Sequence, residues 1–187
     1  MAAPEMPVER LEPWTFDDLL ELPESPWRFE IVDGGLIMSP PPGVWHEGVS
    51  DAVRTALRNR LPSAYRALGP LAVDMHPTYL VPDLAVLRAE DVRRRKNRLR
   101  PAEVLLVVEV VSPGSVSSDR ILKPAKYAAA GIPAYWRIET EPETSLTAYQ
   151  LTPGSSVYTT VGTWRVGQTA HLTEPFEMDI PIADLET

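Results

Sequence analysis

Seven consecutive residues, Leu105-Leu106-Val107-Val108-Glu109-Val110-Val111, confine this chain more than any others. A run of leucine and valine of that length reads as a strand covered on both faces, the central position of a sheet with other elements packed above and below. Glu109 interrupts it. Burying even a neutral polar group without a partner costs about 2–7 kcal/mol, and an ionised carboxylate costs far more. A residue of this kind comes with a partner, and a metal ion is a suitable one.

The rest of the chain supplies elements to build around that strand. Thr15 and Asp18 form a helix N-terminal capping pattern ahead of a short apolar face. Residues 27–32 alternate as a strand, Asp33-Gly34 is a hairpin turn signal, and residues 36–38 return. Over residues 46–61 the apolar positions Val49, Ala52, Val53, Ala56, Leu57 and Leu61 recur on one helical face, with Pro62 at its end. Strands are expected over residues 67–74, 79–87 and 104–111. An alanine-rich helix over residues 117–130, ended by Gly131, leads into a strand at 134–138, which makes a strand-helix-strand crossover. Pro124 fits such a helix only in its first turn, so the helix begins near Lys123 or is kinked there. Residues 146–151, 156–161 and 176–180 read as a meander of short strands closed by a helical turn at 183–185. The class is α/β (α+β): a mixed central sheet flanked by helices, with an extra N-terminal hairpin and a C-terminal β meander.

With 187 residues the chain fits one domain. Residues 1–13, with three prolines, read as a flexible lead-in to a domain over 14–187. The absence of cysteine excludes disulfides, thiolate zinc sites and a cysteine nucleophile. No run approaches the ~20 apolar residues of a membrane span, and the first residues lack a signal-peptide pattern, so the expected address is cytoplasmic. The formal net charge of −8 opposes binding to a polyanion. Against it stands one basic run, Arg93-Arg94-Arg95-Lys96 with Arg98 and Arg100. It reads first as a solvated face and second as a phosphate-contacting patch.

Two acids and a lysine stand out as chemistry. Asp83 follows Pro82 at the start of an apolar strand, and Glu109 lies near the end of another, so neighbouring strands can bring the two together. Two carboxylates with a backbone carbonyl and waters make a hard-oxygen site suited to Mg2+ or Mn2+. Such an ion serves phosphodiester hydrolysis, by polarising the phosphate, activating water and stabilising the leaving oxygen. A nearby lysine adds charge stabilisation. Plainer readings exist for each residue: Asp83 as a turn residue, Lys123 as a surface lysine, Asp119 and Arg120 as a helix cap and a surface pair. His46 opens the long helix as a phosphate contact, a proton-transfer group or a half-exposed polar residue. His76 and His171 share no ligand spacing. Trp45, Trp136 and Trp164 read as packing before base stacking.

Over residues 15–138 the chain resembles the "putative restriction endonuclease" family also called Uma-two, a branch of the PD-(D/E)xK nuclease superfamily. The resemblance rests on an ordered set: Arg28-Phe29-Glu30-Ile31-Val32-Asp33-Gly34-Gly35-Leu36 with Met38-Ser39-Pro40, His46, Pro82-Asp83, Val108-Glu109-Val110-Val111-Ser112-Pro113, Asp119-Arg120 with Lys123 and Tyr127, and Ala130-Gly131-Ile132-Pro133 with Tyr135-Trp136. It implies a restriction-endonuclease-like core, magnesium-dependent DNA cleavage and a homodimer. Position by position it implies Asp83 and Glu109 as catalytic metal ligands and Glu30 as a further ligand or supporting acid. The superfamily's simplest pattern has lysine two residues after the second acid, where this chain has Val111. The resemblance moves that role to the following helix and Lys123, with Lys126 as the lesser candidate. The leading expectation is a magnesium-dependent DNA endonuclease. Its rivals are a catalytically silent nuclease fold binding nucleic acid or a protein, and a phosphodiesterase acting on RNA or nucleotides.

Overall fold

A computed structural model describes residues 12–92, 96–112, 114–115 and 117–186. The lead-in expected over residues 1–13 falls outside these but for Glu12 and Pro13, as do Arg93, Arg94 and Arg95 of the basic run. The order is α1 (Phe16–Glu21), β1 (Arg28–Val32), β2 (Gly35–Ser39), α2 (Val44–Arg60), β3 (Tyr65–Leu68), β4 (Val73–Met75), β5 (Thr78–Leu80), β6 (Leu84–Arg88), β7 (Val104–Val110), α3 (Lys123–Ala129), β8 (Ala134–Glu139), β9 (Ser145–Leu151), β10 (Tyr158–Arg165), β11 (Thr169–Leu172) and β12 (Met178–Pro181).

Six strands form the central sheet, in the order β10-β9-β8-β7-β6-β3. Only β7 and β8 pair in parallel, as the crossover through α3 requires, and the neighbouring pairs are antiparallel. The alternation of side chains sorts the sheet's residues into two cores. Leu84, Val86, Leu106, Val108, Val110, Trp136 and Ile138 face Val49, Val53 and Leu57 of α2. Ala85, Leu87, Val107 and Tyr135 face Tyr127 of α3 on the other side. Glu109 follows the parity of Val107 and therefore lies on the α3 side.

Two strands expected as continuous are each divided between sheets. The segment expected over residues 67–74 breaks at Gly69-Pro70 into β3 and β4, and the one over 79–87 breaks at Val81-Pro82-Asp83 into β5 and β6. Proline has no N–H for the ladder, so a pairing pattern ends at each. The halves β4 and β5 join the N-terminal hairpin in a second sheet, β2-β1-β5-β4, so the hairpin is not free-standing. Its turn is as expected: Asp33 and Gly34 have φ of 50° and 82°, the left-handed pair of a two-residue hairpin. The C-terminal meander also divides. β9 and β10 extend the central sheet, while β11, which the sequence pattern did not reveal, pairs with β12 apart from it.

The helix expected over residues 117–130 is two pieces. Ser118–Leu122 is a π-helical turn, closed by Lys123 N–H donating to the Ser118 carbonyl, and α3 begins at Lys123 with Pro124 in its first turn. An α-helical register through Pro124 would need a donor that proline lacks and would press its ring on the Arg120 carbonyl. The wider turn removes both conflicts.

Gly69 packs against the backbone that carries Asp83: a Cβ there would stand 2.1 Å from the Asp83 carbonyl oxygen and 2.9 Å from Leu84 Cα. Gly69→Ala is therefore expected to cost about 1–3 kcal/mol in denaturant unfolding. Gly114→Ala, which meets nothing within 4 Å, should stay within about 0.5 kcal/mol.

Candidate active site

Asp83 and Glu109 meet because of register. β6 and β7 run antiparallel with Leu84 opposite Val108, so the residue before Leu84 stands across from the residue after Val108 on the same face. Both are buried, Glu109 to 1% exposure. The Val110 N–H donates to Asp83 Oδ2 at 2.8 Å, which ties this aspartate to the strand that bears Glu109. Glu30 reaches the same place from β1, its Oε1 accepting from the Val81 N–H at 2.7 Å and so bracing the segment just before Pro82-Asp83.

Lys123 completes the group. Its Nζ lies 3.1 Å from Glu109 Oε1, 3.2 Å from Asp119 Oδ1 and 3.8 Å from Glu30 Oε1. The π-turn and the start of α3 direct Asp119, Lys123 and Tyr127 inward together, and the Tyr127 hydroxyl donates to Glu109 Oε1 at 2.8 Å. Lys126 points elsewhere, pairing at 2.6 Å with Asp33 of the hairpin turn. Of the two lysines, only Lys123 meets the acids.

Three further residues at this place carry roles that sequence reasoning left open or did not weigh. Arg28 donates to Asp83 Oδ1 at 3.0 Å. His46 Nε2 lies 3.2 Å from Asp83 Oδ2 and 3.1 Å from the Val110 carbonyl. Both are acceptors, which assigns the proton to Nε2. Asp119, read as a helix cap, is buried instead at 2% exposure and faces the cavity. Its spacing of four from Lys123 was the available signal.

Burial and mutual repulsion set the electrostatics. For Asp83, burial acts to raise the carboxyl, but the hydrogen bond and charge of His46, the charge of Arg28 and the Val110 N–H outweigh it and bring the pKa down to about 2. Glu109 is held well above the usual carboxylate range, by burial first, with Lys123 opposing and Asp83, Asp119 and Glu30 adding to the rise. Burial acts to lower the Lys123 ammonium, yet Glu109, Glu30, Asp119 and Asp83 together hold it well above an ordinary lysine. In His46 the effect of burial is likewise overcome by Asp83, and its pKa rises.

These side chains line the floor of one cavity of about 560 Å3, with Ile37, Pro40, Pro42 and Ile121 on its walls. Four buried carboxylates, Glu30, Asp83, Glu109 and Asp119, face two permanent cations there, Arg28 and Lys123. That excess of hard oxygen and negative charge fits a divalent ion. Among the described residues no three acidic or histidine side chains converge closely enough to hold one. The groups that could hold an ion are accordingly Asp83 and Glu109 with the Val110 carbonyl, a donor set that Mg2+ and Mn2+ accept when waters complete it.

The other candidates lie apart. His76 bonds the Tyr79 hydroxyl, and His171 pairs with Asp179 on the surface. Trp136 is core under α2, Trp164 packs at the core's margin and Trp45 is exposed. Arg98 and Lys96 of the basic run are tied to Asp74 and Glu103, away from this cavity. No described helix is long and apolar enough to cross a membrane.

A family model described as "Uma2: Putative restriction endonuclease" matches residues 16–183. No curated protein matches the chain. Among solved structures, a "putative nuclease belonging to DUF820" from Anabaena variabilis superposes with a TM-score of 0.72 at 21% identity, over 92% of this chain and 97% of that one. The shared fold is a restriction-endonuclease-like α+β architecture.

The low Asp83 pKa has a consequence for stability. A carboxyl depressed from 3.8 to about 2 on folding stabilises the native state above pH ~4, and that contribution is lost as pH falls toward ~2, an effect of about 2 kcal/mol. In chelator-treated protein, the stability gap between wild type and Asp83→Asn should narrow by that amount over this window when unfolding is followed by circular dichroism. A gap that does not change with pH would contradict the assignment.

Proposed function

Because the chain belongs to the Uma2 family, described as "Putative restriction endonuclease", we propose that it is a divalent-metal-dependent endonuclease that hydrolyses DNA phosphodiester bonds. One observation carries the reading: Asp83, Glu109, Glu30 and Lys123, from the junction before β6, two strands and a helix, line a single cavity. The proposed cofactor is Mg2+, with Mn2+ as the substitute, and the proposed partners are DNA and a second copy of the chain.

Asp83 and Glu109 would hold the ion. When bound, it supplies a polarised phosphoryl oxygen, a more acidic water and charge compensation at the leaving oxygen. The protein's own groups do the positioning. Val110 N–H and Arg28 fix the two Asp83 oxygens at 2.8 and 3.0 Å, and Tyr127 fixes Glu109. Glu30 anchors the Val81 amide and so the approach of Asp83 to the cavity. The Lys123 ammonium, kept charged by its acidic neighbours, faces the region where negative charge grows in the transition state. A fixed cation there is worth more than a solvated one because Lys123 is itself buried.

A catalytically silent fold that binds nucleic acid or a protein is the second reading. The observation that favours it is the closed state of Asp83, whose oxygens are already engaged by Arg28, His46 and the Val110 N–H.

Calorimetric titration with Mn2+ and cleavage of a plasmid and an RNA of matched length separate these readings. Asp83→Ala and Glu109→Ala should each abolish metal binding, and cleavage should fall at least ~100-fold. Metal binding that persists in both variants would remove the site assignment. DNA binding indifferent to chelator, with no cleavage under any metal, would establish the silent fold, and preference for the RNA would redirect the substrate. Lys123→Ala should lower cleavage by about 100-fold or more while leaving Mn2+ binding at Asp83 and Glu109 in place.

A further inference from the structure

We propose that the Lys123 ammonium stands where a second divalent ion would otherwise sit, so that the protein works with one ion per chain and Asp119 forms one wall of the position that Lys123 fills. The inference rests on the nuclease reading for the first ion only. The second position is argued from its own geometry.

Lys123 is 5% exposed, and its ion-pair partners are all carboxylates from three separate elements: Glu109 of β7 at 3.1 Å, Asp119 of the π-turn at 3.2 Å and Glu30 of β1 at 3.8 Å. Three formal negative charges thus surround one positive charge. An ammonium is a compact point charge with three donors, and the three oxygens around it, too far apart to hold an ion while the lysine is present, are half the ligands of an octahedral cation. Asp119 adds an independent sign. Its Oδ1 is fully buried and takes no hydrogen bond, so the carboxylate aims at the ammonium without a directed donor. Nothing in the arrangement of the first ion uses it.

Distances exclude an ion while the lysine is present. Oxygen ligands to magnesium lie near ~2.1 Å, whereas these stand at 3.1–3.8 Å from the nitrogen. Removing the ammonium leaves room for the Glu109 and Asp119 carboxylates to close by about 1 Å and for Glu30 to close by about 1.7 Å. Glu109 joins the two positions. Tyr127 and Lys123 both engage its Oε1, which leaves Oε2 for the first ion.

The test counts Mn2+ per chain by equilibrium dialysis and electron paramagnetic resonance on the full chain, in wild type, Lys123→Ala and Lys123→Ala/Asp119→Asn. We expect one ion in wild type, two in Lys123→Ala and one again in the double variant. Two ions in wild type, or no gain in Lys123→Ala, would overturn the inference, as would a gain that survives the loss of the Asp119 carboxylate. No ion in wild type would remove the metal site of the nuclease reading, while a gain of one in Lys123→Ala would still establish the position beside Asp119. Should Lys123→Ala be unfolded without metal, refolding with millimolar Mn2+ reads the same gain. Failure to refold with Mn2+ counts against the proposal.

Discussion

Everything at the centre of this molecule depends on one buried ion pair, Lys123 with Glu109. The strand that carries Glu109 is apolar before and after it, so the strand itself offers the carboxylate no partner. The lysine reaches it from the opposite layer, across the crossover between β7 and β8. Removing one partner of such a pair leaves an uncompensated buried charge, an effect of about 3–5 kcal/mol. The pair therefore joins the layers of the fold as well as two residues of a site.

Around this pair the protein has arranged more acid than base. Glu30 and Asp119 approach the same ammonium, and Asp83 stands opposite Glu109 with its own clasp of Arg28 and His46. The two clasped acids respond in opposite directions. Asp83, with donors on both oxygens, is a strong acid, and Glu109, with more acids than cations around it, is a weak one. Environments that split like residues in this way mark functional sites. The split follows from topology: Asp83 lies at the break between two sheets, where Arg28 and His46 can reach it, while Glu109 lies within an unbroken strand.

Two departures from regular structure build the site. Pro82 ends one sheet's ladder and begins another's, which leaves Asp83 at the junction, within reach of Arg28, His46 and the Val110 N–H. Pro124 prevents α-helical register across residues 118–124, and the resulting π-turn keeps Asp119 and Lys123, four residues apart, on one face. In both cases a residue that looks like a defect in a local pattern sets the position of a charged group. That is why the sequence pattern erred in running one strand through Val81-Pro82-Asp83, while at Pro124 the expected helix start near Lys123 is what the chain adopts.

The sequence by itself determined the central strand, the α2 face, the Asp33-Gly34 hairpin, the capping box and the crossover, because each rests on local periodicity or turn chemistry. It also singled out Glu109, since a lone acid in an apolar strand is legible without any partner in view. Asp83, Glu30 and Lys123 were expected beside it from strand placement and the family resemblance, but how the surrounding groups engage these residues was decided by the tertiary structure. The burial of Asp119 and the attachment of His46 and Arg28 to Asp83 join residues distant in sequence or depend on how the helix packs. Sequence spacing carries the face of an ideal helix or strand. It does not carry the direction of side chains where two sheets separate or a helix widens, and those are the places where this site is assembled.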